Sequence, residues 1–366
     1  MYEGTRGCRA EPRGVVEERI ITAIRKTVTA AGCAAVVLAT AAACGTVQNL
    51  TAGQKVDHAV DRLGEQKSLS FQLDLDADSD AITELAGDSG SDDALPPEFA
   101  KFISGLRVDV SVKSKKALSD SGEKDLIGTS VKIAGADGVL VEYRVVGDFT
   151  YYRADMKAVG EAMGFPMPTP EEIPDSEKEF RKVLEGEWVK VDTSELAEAT
   201  QMSEESAKGS DSADEIDAKT QQKIIKAVRG VIAHEVTFSA KGSSDGTEHV
   251  VAKGNFRDLI RGVFDKLRPL EGDLPPGTDL PSDKDLKEAP NKNVAVDFTL
   301  KNGDLTQVKI DLAVLAEDPK AAKLPLVLKF SKAGDVSAPA GATEIPVDKV
   351  PSGSPFGDGL LGGGAL

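Results

Sequence analysis

Cysteine is nearly absent from this chain. Its 366 residues hold three, Cys8, Cys33 and Cys44, all within the first 44 positions. Beyond that point neither a disulfide framework nor a cysteine metal site can form, so a hydrophobic core must hold the fold unaided. Aromatic residues are sparse at 5%, with Trp188 the single tryptophan, which does not favour a site that stacks sugars or bases. Basic charge is also short: 44 Lys and Arg against 61 Asp and Glu give a formal net charge of −17. No basic stripe offsets phosphate repulsion, which argues against nucleic acid and against a polybasic membrane-docking surface. The three histidines, His58, His234 and His249, show no metal-ligand spacing, so no metal site and no cofactor are expected.

Long hydrophobic runs are missing too, with one informative exception. Arg25 and Lys26 precede an uncharged, alanine-rich run from Thr27 to Ala43, which ends in Ala41-Ala42-Ala43-Cys44-Gly45. A basic flank, a short apolar segment and small residues at its end are the three parts of a secretory signal. As a helix the run spans roughly 25 Å, short of the ~30 Å hydrocarbon core. The cysteine after the small residues resembles the lipobox of bacterial lipoproteins. That resemblance implies cleavage before Cys44, a diacylglyceryl group on its sulfur, and a protein held at the outer face of the plasma membrane. Glu3, Glu11, Glu17 and Glu18 lie where such a signal carries positive charge. Residues 1–24 are therefore a doubtful extension, with translation expected to start downstream, at Val15 or Val16. The expected organisation is a signal over 1–43, a lipidated tether over 44–52, one folded domain over 53–350 and a glycine-rich disordered tail over 351–366.

Val56, Ala59, Val60 and Leu63 recur at helical spacing, and Gly64 closes that helix. Leu69, Phe71, Leu73 and Leu75 then alternate with polar residues, the mark of a half-buried strand. Similar runs follow near 106–112, 130–134, 139–146, 149–153, 188–191, 236–240, 247–253, 294–300, 308–312 and 324–330. Gly135-Ala136-Asp137-Gly138, Gly147-Asp148 and Asn302-Gly303 are tight turns that force antiparallel neighbours. Helices are expected over 97–103, up to Leu184, over 222–232 and over 256–267. The stretches 76–100, 160–185, 194–220 and 268–293 read as insertions, mostly loop. About eleven strands in meanders and clumped helices give an α+β fold: a large curved antiparallel sheet, a half barrel, with helices packed on one face.

Two motifs suggest chemistry and have plainer explanations. Gly242-Ser243-Ser244-Asp245-Gly246 matches G-x-S-x-G, which needs a strand-to-helix elbow; here it joins two strands, where Ser-Asp-Gly is ordinary turn chemistry. Asp74, Asp76, Asp78 and Asp80 imitate a calcium loop but lack its glycine and glutamate. No catalytic constellation stands behind an enzyme reading.

The acylated cysteine, the first helix, the Leu69–Leu73 strand and the meanders resemble the LppX/LprG-type lipoproteins of actinobacteria, which share the LolA/LolB-like fold. Glu142–Arg153, Glu187–Val191 and Pro339–Ile345 add to the likeness. The resemblance implies a half barrel over an apolar cavity that binds, carries or presents lipid acyl chains. On it, Phe71, Leu73, Val108, Val110, Val141, Tyr143, Phe238, Val296 and Phe298 are the expected lining. Phe256, Leu259, Ile260, Val263 and Phe264 are the expected lid. The expected partners are the membrane, through Cys44, and an acyl lipid or glycolipid; no protein partner is specified. A non-enzymatic protein-interaction module on the same fold is the alternative. Period-two patterning does not distinguish a filled half barrel from a hollow one.

Overall fold

The computed structural model describes residues 51–86, 97–136, 138–163, 168–173, 178–195, 218–274, 280–316, 323–334 and 336–347. The signal, Cys44, most of the tether and of the 194–220 stretch, and the tail lie outside these residues.

In chain order the elements begin with helix α1 (Ala52–Glu65), strand β1 (Ser68–Leu75) and helices α2 (Ser79–Ala86) and α3 (Pro97–Ser104). The meander β2 (Arg107–Ser114), β3 (Leu126–Gly135), β4 (Gly138–Val146) and β5 (Phe149–Ala154) follows. Next are α4 (Met156–Met163), α5 (Lys178–Leu184), β6 (Val189–Asp192) and α6 (Ala218–Glu235). The hairpin β7 (Thr237–Ser244) and β8 (Thr247–Asn255) leads into α7 (Phe256–Leu267) and α8 (Asp283–Glu288). The described part ends with β9 (Asn293–Lys301), β10 (Asp304–Asp311), β11 (Pro325–Ser331) and β12 (Thr343–Glu344).

All twelve strands form one open, curved sheet, ordered β12-β6-β5-β4-β3-β2-β1-β11-β10-β9-β8-β7. The fold class is α+β as the sequence pattern indicates. The twelfth strand is a two-residue parallel pairing of Thr343 and Glu344 with Val189 and Lys190, too short to leave a period. Every other pairing is antiparallel. The Asn302-Gly303 turn has both residues at positive φ, 54° and 83°, as a two-residue hairpin demands.

The inserted stretches contain helices that the sequence reading takes as loop. α2 falls within 76–100, α4 begins before 160 and enters 160–185, and α8 falls within 268–293. Their short length and acidic, glycine-rich or proline-rich flanks hide the helical period. The register places these three connections at one end of the sheet, where β1, β5 and β8 finish. The Gly147-Asp148, Asp245-Gly246 and Asn302-Gly303 turns lie at the opposite end.

α1 packs across β7–β10. Thr51 caps it, accepting from the Gln54 amide while the Gln54 side chain takes the Thr51 amide. Val56, Ala59, Val60 and Leu63 are buried against Leu69, Val250, Leu300 and Leu305. Burying each large side chain contributes ~1.5–3 kcal/mol, which fixes α1 to this wing. A second core lies at the other wing, where Val183 of α5 meets Tyr152, Ala154, Val189 and Val191. We call the face under α1 and α5 the inner face.

Candidate functional site

Cross-strand partners share a face, so the registers trace the inner face across the sheet. Phe71 lies opposite Val110 and Phe330, and Val110 opposite Val131, which in turn faces Tyr143. One row along, Leu73 pairs with Val108 and Leu328, Val108 with Ile133, and Ile133 with Val141. Leu328 continues through Val308 to Phe298 and Val250, while Ile310 opposes Val296 and Ala252 opposes Phe238. All nine lining residues named from the sequence therefore share the inner face.

The structure sorts them into three groups. Phe238 and Phe298 belong to the α1 wing, their ring centroids 6.5 Å apart. A Cβ on Gly53 of α1 would stand 3.2 Å from the Phe238 ring, so this helix lies directly on it. Val141 joins the α5 wing, and Val110 is buried at 8% exposure. Phe71, Leu73, Val108, Tyr143 and Val296 are half-buried, as Phe238, Phe298 and Val141 are, but belong to neither packed core; the same holds for Val131, Ile133 and Leu328, which the sequence reading did not name. Their alternation is visible in the sequence; what distinguishes them, that they join neither packed core, is a tertiary fact.

The principal helix-to-sheet packing falls on the wings: α1 and α7 on β7–β10, α4 and α5 on β4–β5. Among the described residues, the principal α-helix packing leaves out the central strands β11, β1, β2 and β3, whose inner row is an apolar floor. At ~4.8 Å between strands and ~3.4 Å per residue, the floor from β11 to β4 is roughly 20 Å in each direction.

α7 turns onto the inner side as β8 ends. A Cβ on Gly254 would meet the Glu235 carbonyl at 3.0 Å and Leu259 Cδ1 at 3.1 Å, so glycine permits this close approach. Gly262 packs on Val231 of α6, and Arg229 of α6 pairs with Asp61 of α1 at 2.9 Å. Phe256, Leu259, Ile260, Val263 and Phe264 form the stripe read from the sequence, yet no residue of α7 is fully buried. Stripe and floor are both apolar and, among the described residues, half-buried.

Burial pushes the phenols of Tyr143 and Tyr152 up to about 12, while Tyr143 also bonds to Thr150. The unfolded chain releases these protons near 10, before the folded one does. Their contribution is complete below pH 10 and is lost as pH rises toward 12. Urea midpoints should fall across that range, and Tyr143→Phe should flatten the fall; an unchanged slope would mean that Tyr143 is not enclosed.

The outer face carries most of the paired charges, with Val251, Val327 and Tyr151 buried among them. Lys329 binds Asp74 at 2.9 Å, Lys309 binds Asp76 at 3.2 Å, and Asp78 caps the Ala81 amide. Those pairings occupy three of the four aspartates of the calcium-like run. Glu142 is 5% exposed and accepts from Arg144 and Arg153, which flank the Trp188 ring at 5.0 Å each. Burial would raise the Glu142 carboxyl pKa; the bonds and charges of the two arginines outweigh it and hold that pKa below its usual range. Asp245 and Gly246 take positive φ in the β7–β8 turn, confirming that the G-x-S-x-G match is hairpin geometry. His249 contacts Thr299 and Asp297 on β9. A 330 Å³ pocket, lined in part by Val139, Arg153, Asp155 and Glu185, lies near the start of β4 and the end of α5. Among the described residues no metal-binding cluster occurs, and no helix is long and apolar enough to cross a membrane.

No family model matches the chain, and no curated protein matches it. Among solved structures it is similar to the crystal structure of the Mycobacterium tuberculosis lipoprotein LppX, at 12% identity, covering 78% of this chain and 98% of that one with a TM-score of 0.29. An overlap this loose equates no residue of one chain with a residue of the other.

Proposed function

We propose that this chain is a non-enzymatic envelope lipoprotein that takes the acyl chains of a lipid on the open centre of its inner sheet face. The observation that supports this best is the half-buried apolar floor of Leu73, Val108, Val131, Ile133 and Leu328 between two packed wings. A domain without disulfides gains nothing from leaving such a surface to water; an apolar ligand gains ~25 cal/mol per Å² by covering it. A chain lying on a flat floor keeps one side wet and realises roughly half of the ~0.8 kcal/mol available per CH₂. The α7 stripe supplies the second surface in this reading, with the polar head of the lipid left outside. Cys44 supplies the anchor.

Two measurements test the reading. Cys44→Ala should release the protein from the membrane fraction and abolish lipid labelling; unchanged retention would contradict the anchor. Native mass spectrometry of that released protein should find a co-purifying acyl species lost on denaturation. A clean polypeptide mass that no added phospholipid shifts would contradict the ligand.

A further inference from the structure

We infer that the exposed edge of β7 is a pairing surface for a second copy of this chain, joined antiparallel about a two-fold axis at Ser239.

The two edges of the sheet are finished differently. At one, β6 is partnered by the chain's own Thr343 and Glu344. At the other, β7 runs eight residues with β8 on one side and, among the described residues, no strand on the other. Seven of the eight are exposed, and Phe238 alone is half-buried, against α1. The unpaired amides and carbonyls of an edge strand are a template for another strand, and edges that stay single are blunted by charge or proline. β7 has no proline, and its one charge, Lys241, is held by Asp297 at 3.0 Å. The bulge between Ala240 and Gly242 confines pairing to the regular run at 237–240.

The chemistry of this strand suits itself. Directly opposed residues share a face, so an antiparallel pair centred on Ser239 sets Phe238 against Ala240 of the second copy on the inner face. On the outer face Ser239 meets Ser239 of the second copy. Ser70 and Ser111 already make such a cross-strand pair, with their hydroxyls 2.6 Å apart. No like charges oppose each other. Over the rest of their surfaces two copies, each at −17, repel, and an uncharged edge is where they meet with least repulsion. The axis stands perpendicular to the sheet, so both inner faces stay on one side. Gly53 of α1 lies on Phe238, which brings the starts of both described chains together on that side, near the axis. Two molecules held in one membrane through Cys44 need that arrangement; this point rests on the anchor reading, while the pairing does not. One strand pair buries less than the ~1,200–2,000 Å² of a stable interface, so the dimer is weak and concentration-dependent.

Sedimentation equilibrium of the full chain carrying Cys44→Ala, under reducing conditions, tests the pairing without any lipid. The weight-average mass should rise toward twice the monomer value between about 1 and 300 μM. The rise should move to lower concentration as salt goes from about 50 to 500 mM and screens the acidic repulsion. Ser239→Asp and Ser239→Lys, each checked for an unchanged circular dichroism spectrum, should weaken pairing about threefold to tenfold, because each sets like charges opposite one another. An equimolar mixture of the two variants should pair again, as opposite charges then meet across the axis. A parent chain that stays monomeric at every concentration and salt would overturn the inference. So would a dimer that both folded variants leave intact, or a mixture that pairs no better than either variant alone.

Discussion

Leu300→Ala is expected to lower unfolding free energy by ~2–5 kcal/mol while leaving acyl binding by the folded protein unchanged. Leu300 is 1% exposed on β9, where it opposes Leu305 and lies in the core that α1 closes. Truncation there leaves a cavity which neighbours on two strands and a capped helix cannot collapse to fill. Denaturant unfolding monitored by circular dichroism measures the loss. A change under ~1 kcal/mol would mean that the α1 wing is loosely packed and that the contrast between wing and floor is wrong.

Leu328→Asp is expected to do the opposite. Leu328 faces the same side as Leu300 but is half-buried, between Leu73 and Val308. A carboxylate there keeps access to water in the empty protein, so stability should drop by only ~1–2 kcal/mol. With an acyl chain in place, that carboxylate would be stripped of water without a partner, and binding should weaken about tenfold or more. Fluorescent fatty-acid titration beside the same unfolding experiment separates the effects. A stability loss as large as that of Leu300→Ala, with parent and variant binding no lipid, would indicate a filled core.

Much of this architecture is legible in the sequence because each central strand is wetted on one face. Ser70, Gln72 and Asp74 against Leu69, Phe71 and Leu73 give a clear period of two, and Asn302-Gly303 or Gly147-Asp148 fix antiparallel order. The inner-face set follows from the same alternation. What alternation does not encode is what stands above each strand. Phe298 and Leu328 share one row and are both half-buried, yet Phe298 packs against the core that α1 closes and Leu328 does not. That difference arises from where a helix more than 200 residues away in sequence comes to lie. The course of residues 336–345 is hidden for a similar reason: Val336 packs at Gly128 and the Ser337 carbonyl accepts from Arg144 with no periodicity to link them, and two residues of parallel pairing leave no pattern. α2 and α4, eight residues each, are too short to show a helical stripe among acidic and glycine-rich neighbours.

The central claim is that acyl chains lie on the open middle of the inner face. Illuminating the Cys44→Ala protein with a diazirine-bearing fatty acid and mapping the labelled peptides tests it most directly. The account predicts label on β1, β2, β3 and β11, centred on Leu73, Val108, Val131, Ile133 and Leu328, with a second set on the α7 stripe. Label scattered over the outer face, or confined to the wing cores under α1 and α5, would contradict it.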